Sequence, residues 1–245
     1  MGNALAVLIP VVVLAVLGGV IGLVAYAVVR MRAGEPFTIS LRLLLRYYLY
    51  FMIVIGAILL VFGVSGLVRA GLGAVLGQEF SYTPGYAEPP VRPALAPDGK
   101  PQEPTTPTQE ELAAQRKRGL DRAFKEGLLN GISLAVVGAL AWGIHAWGRR
   151  RLETLGERQE LLNRLYVIVL VVIFGVMTVV TLPGGIYDAL RYYLLEPVDK
   201  TRYFQPGSNL AHAIVALPVW AYYLNSAIRM VRRQEPSAGP PSGGA

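Results

Sequence analysis

The sequence predicts an all-α, polytopic membrane protein with five transmembrane helices, arranged as one unpaired helix and two parallel two-helix repeats. Of its 245 residues, 53% are hydrophobic and 16% are charged, whereas a soluble domain needs a larger charged fraction to cover its surface. The hydrophobic residues fall in runs of about 20, the length that crosses the hydrocarbon of a bilayer. An internal repeat, described below, relates two of these runs to two others.

Arginines that flank the predicted spans explain the excess of basic residues. Lys and Arg number 23 against 16 Asp and Glu, which gives a net charge of +7. Nucleic-acid binding needs a basic soluble module with groove-reading or base-stacking elements, and we identify none. The sequence contains no cysteine, which excludes disulfides, thiolate metal sites and cysteine nucleophiles.

The first predicted domain, residues 1–30, is an N-terminal transmembrane helix. Residues 4–29 carry no charge and are followed by Arg30 and Arg32. The segment lacks the basic start of a cleavable signal peptide and exceeds its short apolar region, so we expect a retained span. Because the basic residues follow the span, the N terminus is expected to lie outside.

The first two-helix repeat is expected over residues 31–151. Its first span runs from Arg46 to Leu67 and ends in a glycine-rich stretch. The segment 78–107 contains eight prolines after position 83, which no helix or central strand accommodates. We therefore expect a proline-rich, extended outer loop there.

Helical structure is expected to resume at Thr108. Thr108 and Glu111 have the spacing of a capping box, in which the hydroxyl and the carboxylate each accept from a free backbone amide. An amphipathic helix then runs into the third span, about 127–147, which is followed by Arg149, Arg150 and Arg151.

The second two-helix repeat is expected over residues 152–233. A short charged helix, about Leu152 to Leu162, precedes the fourth span, 165–182. Pro183, Gly184 and Gly185 are expected to interrupt that helix. The fifth span covers about 210–230.

The Pro/Gly/Ser-rich tail, residues 234–245, is expected to be disordered. Arginines in the short segments after the third and fifth spans favour a cytoplasmic location for these ends. We therefore expect the N terminus outside and the C terminus in the cytoplasm.

Two offsets reveal the internal repeat. An offset of 118 residues relates the second span to the fourth, and an offset of 78 relates the third to the fifth. The matched residues are Arg46 with Arg164, Tyr48 with Tyr166, Gly66 with Gly184, Trp142 with Trp220, and Arg151 with Arg229. Each pair begins on the same side, so the repeats are parallel and related by an axis along the membrane normal.

The stretch Leu140 to Trp147, which reads LAWGIHAW, and the later Arg164-Leu165-Tyr166 resemble the bacterial domain-of-unknown-function 5671 family. The resemblance extends over about Arg46 to Arg233. It implies paired membrane helices with a Trp–His–Trp end and an Arg–Tyr start, in the bacterial cytoplasmic membrane. Tyr223 stands where the second pair would match His145. The family has no assigned activity, so the resemblance implies architecture alone.

Histidine is the first candidate for a cofactor ligand, and the chain has His145 and His212 only. They lie at opposite ends of their spans, so they are not expected to be the two axial ligands of one haem. No cofactor and no metal are predicted. His145 alone remains a weak candidate for single-histidine pigment binding.

The ionisable residues nearest to the span interiors are Arg69 and Asp188, with Arg191 three residues beyond Asp188. Charged groups inside a membrane are functional candidates because their burial is costly. These three define a candidate polar site at the outer interface, but an interfacial ion pair or snorkelling side chains are the favoured explanation.

Small residues indicate close helix packing. Gly18 with Gly22, and Gly127 with Gly131, have the four-residue spacing that lets backbones approach. Contact with a partner helix and packing within the chain are equally compatible with this spacing.

We expect a non-enzymatic accessory or scaffold subunit that acts through helix–helix contacts. Its partners would be the lipid bilayer and other membrane subunits or further copies, but no nucleic acid. A small-solute transporter or channel is the alternative, favoured by the parallel repeat and the interrupted fourth span. A pigment or redox subunit that uses His145 is the weaker alternative.

Overall fold

The computed structural model describes residues 41–84, 108–154, 161–194 and 205–232, and their regular structure is entirely α-helical. We number the helices α1 (Leu41–Leu76), α2 (Gln78–Ser81), α3 (Gln109–Leu152), α4 (Leu161–Leu194) and α5 (Pro206–Arg232). Four of them, all but α2, are long and apolar enough to cross a membrane. The predicted first span and the tail lie outside the described residues.

The capping box predicted at the start of α3 is confirmed. The Thr108 hydroxyl accepts from the Glu111 amide, and the Glu111 carboxylate accepts from the Thr108 amide at 3.0 Å. From this cap α3 continues for 44 residues, about 66 Å at 1.5 Å per residue. The amphipathic segment and the third predicted span therefore form one helix.

Glycines bring the antiparallel helices α1 and α3 into direct backbone contact. A Cβ at Gly63 would lie 2.5 Å from the Cα of Ala135, and one at Gly66 would lie 3.0 Å from the Cα of Gly131. Gly138 approaches the α1 backbone in the same way. Real Cβ atoms essentially never approach as closely as those at Gly63 and Gly138 would, and the contact at Gly66 is at the tight limit, so glycine permits this seam.

Helices α4 and α5 form the second antiparallel hairpin. A Cβ at Gly185 would lie 2.9 Å from the Leu210 amide nitrogen, so this pair also packs backbone against backbone. The two hairpins meet where α1 packs against α4 and α5. The residues of this core are Val54, Ala57, Ile58 and Val61 of α1, with Leu170 and Phe174 of α4, and Val215 and Val219 of α5.

The predicted interruption of the fourth span is wrong. Helix α4 continues through Pro183 to Leu194. A proline removes one backbone hydrogen bond, which neighbouring helices and hydroxyl side chains offset in apolar surroundings. Gly184 and Gly185 follow it inside the helix, against Asn209 and Leu210 of α5. The glycines thus serve close packing.

The loop predicted for residues 78–107 needs a smaller correction. Its first four residues form the short helix α2, and Phe80 and Ser81 within it are buried. Gly77, at φ 101°, allows the chain to turn sharply there because glycine adopts positive φ without strain. Residues 85–107 lie outside the described part of the chain.

Candidate functional site

A buried ion pair lies at the end of the bundle where α1 begins and α3 ends, here called the Arg46 end. The Nε of Arg46 donates to Oε1 of Glu153 at 3.3 Å, and the Tyr50 hydroxyl donates to Oε2 of the same carboxylate at 3.2 Å. The side chains of Arg46 and Glu153 are 7% and 0% exposed. Both carboxylate oxygens are therefore engaged within the protein, which makes this cluster a clamp between α1 and α3.

Arg149 extends the clamp towards the second hairpin. Its guanidinium lies 5.1 Å from the Tyr50 ring centre and 5.5 Å from that of Tyr166, within the range of a cation–π interaction. Its Nη1 also donates to Asn163 at 3.5 Å. Arg149 thus joins the end of α3 to the start of α4.

A second polar cluster lies at the opposite end, here called the Arg69 end. Arg69 donates to the Ser81 carbonyl oxygen from Nε at 2.9 Å and from Nη2 at 2.6 Å, and Nη2 also donates to Oε1 of Gln205 at 2.7 Å. Gln205 in turn donates to Thr83 at 2.8 Å. One guanidinium therefore holds α1, α2 and the residue before α5 together.

Tyr82 completes the Arg69 cluster. Its ring lies 4.4 Å below the Arg69 guanidinium, and a Cβ at Gly127 would lie 2.7 Å from the ring atom Cε1. Burial raises the pKa of Tyr82, against the opposing effect of the Arg69 charge. The hydroxyl is therefore held in its neutral form, and the cluster, here called the cap, joins the last two turns of α1 to the middle of α3.

The predicted outer-interface residues make separate sets of contacts. Asp188 accepts a hydrogen bond from Asn209 at 3.0 Å, which joins α4 to α5. Arg69 is engaged with Ser81, Gln205 and Tyr82, as described above. Arg191 lies in the last turn of α4.

The two histidines lie at different depths in the bundle. Nδ1 of His145 donates to the Ala141 carbonyl at 2.6 Å, and in the neutral imidazole Nε2 accepts from the Tyr48 hydroxyl at 3.2 Å. The His212 ring packs edge-on against Phe62, with 5.4 Å between ring centres. Because Phe62 follows Tyr48 by 14 residues of helix, the rings lie about 20 Å apart along α1.

The predicted glycine pair of α3 is engaged within the chain. Gly131 faces Gly66, and Gly127 faces Tyr82. Gly18 and Gly22 lie outside the described residues. In the described part of the chain, no group of three or more His, Asp or Glu could hold a metal ion.

Two sets of residues in these contacts are not predicted by the sequence. Glu153 follows three arginines and reads as a solvated charge, although it is the most buried acidic side chain in the pairs described above. Gly63 and Gly138 are part of the seam, but glycine is common throughout these apolar segments. The repeat alignment offers one signal in retrospect, since Gly66 is among its matched residues.

Contacts within the first hairpin have counterparts in the second at the offsets of 118 and 78 residues. The contact pairs are Tyr48–His145 with Tyr166–Tyr223, and Gly66–Gly131 with Gly184–Asn209. The predicted repeat requires such matched contacts.

The exposed side of α3 carries a regular stripe. Its members, here called the α3 stripe, are Asn130, Ser133, Val137, Leu140, Ile144 and Trp147. They alternate in steps of three and four, the spacing of a helix–helix seam. All six are exposed, because the close packing of α3 is with α1 on its other side.

Comparison with known families gives one match. The family described as a domain of unknown function (DUF5671) matches residues 109–222, which cover α3, α4 and most of α5. No curated protein and no solved structure matches the chain.

Proposed function

We propose that this chain, which resembles the DUF5671 family over residues 109–222, is a non-enzymatic, integral membrane accessory or scaffold subunit. It acts through helix–helix contacts with other membrane proteins. The observation that carries the proposal is the α3 stripe, a seam-like row that is exposed on the outside of the bundle.

The composition of the α3 stripe supports a protein partner. Asn130 and Ser133 are exposed at its start, beside apolar side chains such as Val137. A neighbouring helix offers hydrogen bonds to these amide and hydroxyl groups. The seam spacing and the two polar groups together fit a helix that packs alongside α3.

The use of the polar residues inside the bundle also supports the proposal. Glu153 is engaged with Arg46 and Tyr50, and Arg69 is engaged with Ser81 and Gln205. Both clusters join helices of the bundle to one another. Their evident role is to fix the bundle that presents the α3 stripe.

The proposed topology has five spans, with the N terminus outside and the C terminus in the cytoplasm of a bacterium. The four long described helices supply four of these spans. The matched contacts of the two hairpins support the parallel repeat. Arg149 and Arg150 in the last turn of α3, and Arg229 in that of α5, support a cytoplasmic Arg46 end.

The transporter alternative loses one of its two supports, because α4 is continuous through Pro183. The pigment alternative would require His145 to release Tyr48, its partner at Nε2.

Site-specific photo-crosslinking in intact cells tests the proposal. A photoreactive side chain at Val137 or Leu140, on the α3 stripe, should give adducts with protein. The matched control is Ile214, which is exposed on α5 at a position that belongs to no seam described here. It should give adducts with lipid.

Only lipid adducts at both stripe positions would refute the scaffold proposal. A purified chain that carries a solute across liposome membranes would favour the transporter alternative instead.

A further inference from the structure

The contact between the two hairpins is asymmetric. Residues of α1 enter the groove between α4 and α5, where Val54, Ile58 and Val61 of α1 are 6%, 4% and 5% exposed. If the hairpins were related by a two-fold axis, α4 would enter the α1–α3 groove of the same chain in return. The corresponding residues of α4 show that it does not.

Among the residues that the structure describes, none covers the face of α4 that corresponds to this part of α1. Adding 118 to the three positions gives Val172, Val176 and Val179, which are 56%, 59% and 68% exposed. Phe62, which packs against His212, corresponds to Val180, which is 67% exposed. We call Val172, Val176, Val179 and Val180 the α4 face.

The corresponding groove of the first hairpin is also open in the described part of the chain. The α4–α5 groove that receives α1 is lined by Tyr166, Val215 and Trp220 among others. Their counterparts are Tyr48, Val137 and Trp142, which are all exposed. Val137 also belongs to the α3 stripe, so the open groove and the stripe share this residue.

From these two open surfaces we infer that the chain binds a second copy of itself head to tail, with the α4 face of one copy in the α1–α3 groove of the next. The inference rests on the proposed function and deepens it by naming the partner and both surfaces. The contact continues the interface between the hairpins of one chain, since it joins the same helix positions.

The side chains fit this contact in size and chemistry. The α4 face presents four valines where α1 presents Val54, Ile58, Val61 and Phe62, so it is equally apolar and less bulky. Lipid removes the hydrophobic drive between helices and leaves van der Waals packing. Valine already has one strongly preferred side-chain rotamer in a helix, so close packing costs it little conformational entropy.

Because the two surfaces differ, the contact is heterologous. Such a contact forms a ring where the rotation between neighbours closes, and an open chain where it does not. The proposed array repeats the contact between the two hairpins of one chain, so each added copy contributes two hairpins.

Disulfide trapping tests the inference cleanly, because the chain contains no cysteine. The Phe62–His212 contact predicts that Val180 of one copy lies against Leu134 of the next. The double variant V180C/L134C, oxidised in native membranes, should give dimers and higher species on a non-reducing gel. The pair F62C/H212C should cross-link within one chain and remain monomeric.

The matched negative control is V180C/I214C, in which Ile214 is exposed on α5 outside both surfaces. The control should cross-link at least tenfold less than V180C/L134C. Equal yields in the two variants, or a monomer alone while F62C/H212C is oxidised, would overturn the inference. If crosslinking at Val137 then gives adducts with a different protein, the scaffold proposal still stands. If it gives adducts with lipid alone, both proposals are refuted.

Discussion

Replacing Gly63 with alanine tests how far glycine determines the packing of α1 on α3. The new Cβ would lie 2.5 Å from the Cα of Ala135 and 2.7 Å from the carbonyl carbon of Leu134. Carbon atoms rest at about 3.5–4.0 Å, so the helices must separate by roughly 1 Å. Both neighbouring atoms belong to the backbone and cannot rotate away.

Gly71, on the same helix, provides the matched control. A Cβ at Gly71 meets nothing within 4 Å, so Gly71→Ala brings only the gain in helix propensity, about 0.8–1 kcal/mol. At Gly63 the same gain in helix propensity is opposed by overpacking, which typically lowers the free energy of unfolding by about 1–3 kcal/mol. The cost is larger where backbone atoms collide, as they would here. We therefore expect Gly63→Ala to destabilise the protein and Gly71→Ala to stabilise it.

The assay is the free energy of unfolding of each variant in the same detergent, with the far-UV circular dichroism of each folded state as a check. Opposite signs for the two variants are expected. A Gly63→Ala protein at least as stable as Gly71→Ala would refute the backbone contact on which the first hairpin depends.

Three further predictions concern the two ends of the bundle. Glu153→Gln leaves the buried Arg46 without its carboxylate and should cost about 3–5 kcal/mol of unfolding free energy, whereas Glu126→Gln breaks an exposed pair and should cost under about 1 kcal/mol. Arg69→Gln should speed amide hydrogen exchange in α2, because the Ser81 carbonyl oxygen loses the two hydrogen bonds that Arg69 donates. Unchanged exchange would argue against the cap. Protease added outside spheroplasts should cut within residues 78–107 and spare the tail after Arg233, and the reverse pattern would invert the proposed topology.

Local signals in the sequence predicted the helices well. The Thr108 capping box depends on residues three apart and is confirmed. The apolar runs likewise predicted the four long helices, because length and composition decide which segments can cross a membrane. Prediction of the Pro183 break was wrong, since Gly184 and Gly185 pack against α5 and tertiary contact outweighs local propensity.

The polar clusters could not be predicted in the same way. Arg46 and Glu153 are 107 residues apart, and only the pairing of α1 with α3 brings them together. The sequence identified Arg69 as unusual, but its partners Ser81 and Gln205 depend on the turn at Gly77 and on the start of α5. Side chains that join distant helix ends carry no periodic signal of their own.

The mass of the wild-type protein in mild detergent, measured by light scattering and corrected for bound detergent, tests the central claim most directly. Function through helix–helix contacts predicts a protein mass well above the 26.5 kDa of one chain, from further copies or from a co-purifying partner. A single chain of 26.5 kDa that nevertheless moves a solute across liposome membranes would contradict it.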